Sequence, residues 1–408
     1  VAGVSGHPQL LSTAGDPPLL AERLERLWEA GAVVALAAPL EQAQLRAALP
    51  RRMPEFWGGG VVLGTGGSSG SRRWCLQPLA HLQAAARATC QWLRAQNLEP
   101  AGSVLFNPLP LHHVSGLMPL VRARQWGASL CWLAPELMRD PARLVLEAPL
   151  PADRAAVLSL VPTQLQRLIE DPAALRWLAG FAVIWIGGAG LAPELADRSR
   201  QAGLRLAPCY GSTETGAMVC ALAPDRFLAG AAGCGQPLPH AALRVAPGSG
   251  ALQIQASSLA AGFVEAGRFE PLELEQGWWS SGDRALLDAE GLRLLGRLDG
   301  AINSGAETVF PEQVEQRLRQ LAGQVNLPLQ ALLVLSEPDP LWGERLVALV
   351  RPAGPELLQA LQALSRQLPP SQRPRRWLLC PELAPSALGK WERGRWRQWL
   401  RAQPVAEP

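Results

Sequence analysis

Apolar residues follow two spacings along the chain. Leu20, Leu24 and Leu27 recur at helical intervals, and the apolar run from Ala32 to Leu36 behind them reads as a strand. A second strand, Val61 to Leu63, runs into a glycine-rich stretch, after which Leu79, Leu82, Ala86, Cys90 and Leu93 mark one face of a helix. Strand, loop and helix in that order predict an α/β unit. Short apolar runs at 104–106, 129–133, 156–160 and 182–186 then alternate with helical patterns at 162–170 and 193–201. That alternation predicts parallel strands joined by crossover helices. Near Ala242 the texture changes to short strands at 243–245, 252–254 and 291–296. Beyond Asp299 come a helix at 311–321, strands at 331–335 and 346–350, and a helix at 355–367. The pattern divides the chain into residues 1–298, with parallel sheets and a β-rich subregion, and a small α+β domain at 299–408.

With 408 residues, 48% hydrophobic and 18% charged, the chain can bury a large core, which excludes disorder and a coiled coil. The longest uncharged stretch, Pro100 to Val121, holds four prolines, an asparagine and two histidines, unlike a membrane span. The first ten residues show no basic patch before an apolar run, so a cytoplasmic protein is expected. Seven cysteines lie at least eleven residues apart, so neither zinc knuckles nor a disulfide scaffold is expected, and the thiols read as reduced and buried. A net charge of +3, spread along the chain, gives no basic stripe for nucleic acid and favours small-molecule chemistry. Within the 38 basic residues there is one lysine, Lys390, against 37 arginines. A lysine that survives such a bias is a candidate for a task that a wide, forked guanidinium performs badly. Gly389-Lys390 is followed by Trp391, which excludes a Walker loop.

Four segments carry candidate chemistry. Gly64-Thr65-Gly66-Gly67-Ser68-Ser69-Gly70-Ser71-Arg72-Arg73 offers backbone N–H groups, hydroxyls and positive charge to a polyphosphate, or is a plain surface loop. The same residues contain Gly66-x-Ser68-x-Gly70, the spacing of a hydrolase nucleophile elbow, although an elbow enters its helix at once and here two arginines intervene. His112 and His113 cannot both face one site on regular structure, and with no acidic or thiol ligand at metal spacing one of them is expected to line a cleft. Gly187 to Gly190 and Tyr210 to Gly216 each read as a turn after a parallel strand, where α/β sheets bind ligands. Tyr210, the only tyrosine, brings a stacking ring, Thr213 a hydroxyl and Glu214 a carboxylate for Mg²⁺. The last segment runs through Ser281-Gly282-Asp283, Gly296-Arg297-Leu298-Asp299, Ser304-Gly305-Ala306-Glu307 and Gly389-Lys390.

In this order the motifs resemble those of the adenylate-forming superfamily of acyl-CoA synthetases, over roughly residues 60 to 395. Within it, Ser159 to Leu168 and Gly296 to Glu315 look most like the 2-succinylbenzoate–CoA ligase branch. The resemblance implies an acyl-adenylate made from Mg·ATP and an aromatic dicarboxylic acid, then a thioester with CoA, on the path to menaquinone or phylloquinone. It implies that Thr65, Ser68, Ser69, Gly70 and Arg73 hold the β- and γ-phosphates. Gly188, Tyr210 and Gly211 would lie at the adenine, Thr213 at the α-phosphate, Glu214 on Mg²⁺, and Asp283 and Arg297 at the ribose. His113, Thr163, Gln164, Leu165, Gly187, Gly188 and Gly190 would form the acyl pocket. Lys390 would stabilise the first transition state. Asp299 would be the hinge about which the small domain turns, bringing Ser304, Gly305 and Glu307 to a CoA channel.

The sequence departs from the family pattern where Arg72-Arg73 replace Pro-Lys and Gly66-Gly67-Ser68-Ser69 replace Ser-Gly-Thr-Thr. Some sixty residues precede the phosphate loop, fewer than in most such enzymes, which implies a trimmed large domain or an altered dimer surface. Two further readings stay open on the sequence. One is a ligase for another acid or an adenylation domain serving a carrier protein. The other is a nucleotide-binding paralogue without turnover.

Overall fold

A computed structural model describes residues 8–51, 53, 59–66, 72–304, 307–339, 343–351, 356–386 and 389–403. These residues form four sheets. The central one has seven strands, and its parallel part runs Leu206–Ser212, Val183–Ile186, Ala156–Leu160, Val104–Asn107, Ser129–Trp132 in spatial order. Val104–Asn107 and Val183–Ile186 are buried at every position, as expected for strands covered on both faces. Ala217–Ala221 and Gln236–Pro237 extend the sheet antiparallel.

A second sheet of six strands includes Val33–Ala37, Gly60–Gly66 and Arg72–Pro78. Two helices, Leu79–Arg94 and Val114–Trp126, fill the layer between these two sheets. Leu82, Ala85 and Ala86 of the first join the core under the six-stranded sheet, while Ala88, Trp92 and Leu93 join the core under the seven-stranded one. Val114–Trp126 is buried almost all round, since both its faces meet a sheet, and Gly127 at φ +69° ends it in a left-handed cap.

Ala241–Val245, Ala251–Ala256, Trp279–Asp288 and Gly291–Arg297 form an antiparallel four-stranded sheet. The fourth sheet lies wholly after residue 301 and combines Ile302–Ser304, Glu307–Val309, Ala331–Asp339, Gly343–Arg351 and Arg376–Leu379. Helices Pro311–Gln324 and Glu356–Ser365 share one core with this sheet, and Trp396 and Leu400 of Arg393–Arg401 share another.

Two expectations change. The phosphate-loop segment leads from a strand into a second antiparallel strand, Arg72–Pro78, with Thr65 opposite Arg73, and only then into the helix. The elbow reading goes with it, because Gly66 pairs with Arg72 in an antiparallel ladder and no helix begins before Leu79, while Ser68 itself lies outside the described residues. Tyr210 and Gly211 lie inside the strand Leu206–Ser212, so the turn begins later, at Thr213. All seven cysteines are free thiols, three buried and four half-buried. Among the described residues no helix is long and apolar enough to cross a membrane.

Candidate active site

Four neighbouring parallel strands deliver four of the motifs to one edge of the central sheet. Leu206–Ser212 ends in Thr213 and Glu214, Val183–Ile186 in Gly187 to Gly190, Ala156–Leu160 in Thr163 and Gln164, and Val104–Asn107 in the loop to His113. These are carboxyl ends, where the open sheet leaves a crevice.

The turn at Thr213 and Glu214 is held from outside. Thr215 Oγ1 donates to the Ala217 carbonyl at 2.6 Å, Ser258 Oγ donates to the Thr215 carbonyl at 2.7 Å, and His240 Nε2 sits 2.9 Å from Ser258 Oγ. Burial draws the His240 imidazole down to about 4, so it serves as a neutral partner. Gln77, fully buried in the six-stranded sheet, donates to the Thr213 carbonyl at 2.5 Å, and the Ala260 N–H donates to the Glu214 carbonyl at 2.7 Å. A Cβ on Gly211 would stand 1.9 Å from the Ala217 carbonyl oxygen, so only glycine fits there. The Glu214 turn is thereby fixed, while its half-buried carboxylate makes no hydrogen bond or ion pair with a described residue.

The two histidines divide their work. His112 Nδ1 lies 2.8 Å from Oγ1 of Thr13, the residue that follows the strand Gln9–Ser12. His113 caps Val114–Trp126 through its carbonyl, which accepts from Leu117 N at 2.9 Å.

A second constellation comes from the four-stranded sheet, where Asp283 and Arg297 are direct cross-strand neighbours. Tyr210 Oη donates to Asp283 Oδ2 at 2.5 Å. Arg297 reaches Asp283 Oδ1 at 3.4 Å, donates to the Ser281 carbonyl at 2.9 Å, and forks onto Asp299 at 3.1 and 2.9 Å. The Asp299 bond, then the charges of Asp283 and Asp299, raise the Arg297 guanidinium further above its usual range. Burial first, then the Asp283 carboxylate, hold the Tyr210 phenol well above its ordinary value.

Lys390 arrives from the far end of the chain. Ser386 clasps it: the Ser386 N–H donates to the Lys390 carbonyl at 2.8 Å, and Ser386 Oγ accepts from Lys390 N at 3.2 Å. Gly389, at φ +73°, packs so closely that an added Cβ would lie 3.2 Å from Thr163. The exposed lysine therefore stands beside the strand-end residues of the central sheet.

Other sequence expectations fare differently. Ser68, Ser69, Gly70 and Gly305 lie outside the described residues. Thr65 is buried at the strand end, while the Arg73 guanidinium sits 3.5 Å over the Phe263 ring. Leu165 is fully buried in the core on the opposite face of the sheet, and Gln164 accepts from Val161 N at 3.1 Å. Leu165 is thus a packing residue and Gln164 a helix cap. Ser304 is buried in the small sheet and pairs with Glu307, whose carboxylate accepts from Ser371 Oγ. Sequence reasoning missed Gln77, Ser258 and Ser386, because their hydrogen bonds serve residues remote along the chain or carry no motif.

A family model described as AMP-binding enzyme matches residues 62–253, the span that contains these strand ends. Over that span, a little under half of its length, the chain is similar to this family. The 2-succinylbenzoate–CoA ligase of Enterococcus faecalis is 28% identical over 340 residues, 81% of this chain and 67% of that one. The enzyme of the same name from Salmonella typhimurium is 32% identical over 293 residues, and the chain spans 59% of its length and 72% of its own. Wild-type E. coli MenE, solved with a phenylether-linked analogue of OSB-AMS, superposes with a TM-score of 0.72 at 25% identity, covering 98% of this chain and 90% of that one. Like these AMP-binding enzymes it has the adenylate-forming fold.

Proposed function

We propose that this AMP-binding enzyme is an acid–thiol ligase that converts 2-succinylbenzoate, ATP and CoA into 2-succinylbenzoyl-CoA, AMP and pyrophosphate, in the making of menaquinone or phylloquinone. The observation that carries the reading is the meeting of Tyr210, Glu214, Asp283 and the Thr163 strand end with the loop of the only lysine.

In the first half-reaction the substrate carboxylate attacks the α-phosphorus of ATP and pyrophosphate leaves. The Tyr210 ring lies against the adenine, and Asp283, oriented by Tyr210 Oη and Arg297, accepts from the ribose hydroxyls. Thr213 contacts the α-phosphate. Lys390 approaches the oxygens where negative charge grows, which is how a fixed cation lowers a barrier. His113 stands at the mouth of the acyl pocket, with Gly187, Gly188 and Gly190 as its floor.

The unpaired, half-buried Glu214 carboxylate suits Mg²⁺, which takes one or two carboxylates and otherwise keeps water and phosphate oxygens. Bound there with ATP, the ion supplies charge neutralisation for the leaving pyrophosphate. In the second half-reaction the CoA thiol displaces AMP, after the unit that follows Asp299 has turned and withdrawn Lys390. Packing of Gly389 on Thr163 supports the adenylate-forming arrangement as the one seen.

Exchange of labelled pyrophosphate into ATP tests the first step. Exchange that requires 2-succinylbenzoate is expected, and exchange that is indifferent to added acid would contradict the reading.

A further inference from the structure

The turn that carries Thr213 and Glu214 is gripped from beyond the central sheet by three successive carbonyls. Gln77 Nε2 donates to that of Thr213 at 2.5 Å, the Ala260 N–H to that of Glu214 at 2.7 Å, and Ser258 Oγ to that of Thr215 at 2.7 Å. Carbonyl oxygens are the negative ends of the peptide dipoles, and these bonds keep all three from turning toward a bound polyphosphate. Both side-chain donors come from other elements. Gln77 belongs to Arg72–Pro78 of the six-stranded sheet, and Ser258 to the connection between Ala251–Ala256 and Gly262–Glu265.

Gln77 is the less expected of the two. Side chains alternate along its strand. Trp74 and Leu76 enter one apolar core, Cys75 packs with Ala260 and Phe263 on the other face, and Arg73 lies over Phe263 at 3.5 Å. Gln77 shares the face of Arg73 and Cys75 and is fully buried, where an apolar side chain is the usual choice. Its amide is only half answered, for Nε2 reaches Thr213 while Oε1 is buried without a hydrogen-bond partner. Asn107, 1% exposed, has both ends bonded, Nδ2 donating to the Gly116 carbonyl at 2.8 Å and Oδ1 accepting from Leu109 N at 3.1 Å. A half-answered buried amide adds little to folding, because the orphaned oxygen offsets the bond that is made. What it secures is a link between segments 136 residues apart, the strand that leaves the phosphate-loop segment and the turn at Thr213.

We propose that Gln77 and Ser258 are positioning residues for adenylate formation, which fix the Thr213–Glu214 turn so that the groups assigned to the α-phosphate and Mg²⁺ keep one distance from the phosphate loop. The inference rests on the reading of the chain as an adenylate-forming ligase. A misplacement of about 1 Å at a reacting centre costs roughly 100-fold in rate, so a bond of little worth to folding weighs heavily there. The adenine and ribose contacts assigned to Tyr210 and Asp283 do not pass through either residue, so binding of ATP is largely spared.

The test uses Gln77→Met, which keeps length and volume and has no donor. Exchange of labelled pyrophosphate into ATP gives the maximal rate and the KM for ATP, calorimetry gives the ATP dissociation constant without Mg²⁺ or acid, and thermal unfolding gives Tm. The maximal exchange rate falls roughly 10- to 100-fold, while KM and the dissociation constant for ATP change by less than about threefold. Tm stays within about 4 °C of the native value, since the orphaned oxygen goes with the bond. Ser258→Ala carries the same test, with the same split, should Gln77→Met fail to fold. An unchanged exchange rate in a folded variant overturns the inference. So does an equal loss of exchange and of ATP binding with a Tm lowered by more than about 8 °C, the mark of a purely structural role, and so does failure of both variants to fold. Native protein that shows no acid-dependent exchange overturns the functional reading instead.

Discussion

Tyr210→Phe isolates a single hydrogen bond at the nucleotide end of the site. The ring proposed to face the adenine survives, and only the 2.5 Å bond to Asp283 is lost. Asp283 then keeps Arg297 at 3.4 Å, too long to fix the carboxylate alone. A hydrogen bond to a charged group contributes about 1.5–3 kcal/mol. Water restores part of it, so a loss of about 1–2 kcal/mol in ATP binding follows, roughly a 5- to 30-fold rise in KM for ATP. The kcat should change little, because on the proposed reading Asp283 touches the ribose and not the reacting atoms. The proton on Tyr210 makes a further statement. Its folded pKa is raised by burial and by Asp283, so its contribution to stability is present below the ordinary tyrosine value, about 10, and is lost as pH climbs above it. Since the chain has one tyrosine, absorbance of tyrosinate reports this group alone. Steady-state kinetics on ATP and an alkaline titration of the folded protein form the assay. An unchanged KM for ATP in the variant, or tyrosinate appearing near pH 10 in the folded protein, would refute the reasoning.

Three further outcomes are expected. Lys390→Ala should abolish adenylate formation and leave thioester formation from supplied acyl-adenylate largely intact; single-turnover measurements of the two halves check it, and equal losses would contradict a withdrawn lysine. Gly389→Ala places a methyl 3.2 Å from Thr163 at φ +73°, a strain of about 1–2 kcal/mol before the contact is counted. Adenylation should fall roughly 10-fold, and Thr163→Gly in the same chain should restore part of it. Glu315→Ala removes one of the two carboxylates that pair with the buried Arg393, leaving Glu312 at 3.1 Å, and should destabilise the protein by about 1.5–3 kcal/mol, read by denaturant unfolding.

Much of the fold could be read from spacing. The strand at 156–160 and the helix at 193–201 fall where periodicity places them, because short apolar runs bounded by prolines have one plausible reading in a parallel sheet. Arg72–Pro78 was hidden by its opening pair of arginines and by the glycines before it, which read as loop. Ser281-Gly282-Asp283 lies within Trp279–Asp288, with Gly282 at φ +74° making room for Arg297. The residue types of the site were legible as motifs. What spacing could not supply was their pairing: that Asp283 faces Arg297 across two strands, that Tyr210 bonds Asp283 from another sheet, or that Gly389 packs on Thr163.

The most direct measurement is mass-spectrometric detection of products after incubating the protein with ATP, Mg²⁺, CoA and a panel of carboxylic acids that includes 2-succinylbenzoate. The account predicts 2-succinylbenzoyl-CoA and AMP in equal amounts, with the other acids far behind. A thioester formed preferentially with another acid, or no AMP with any acid, would contradict it.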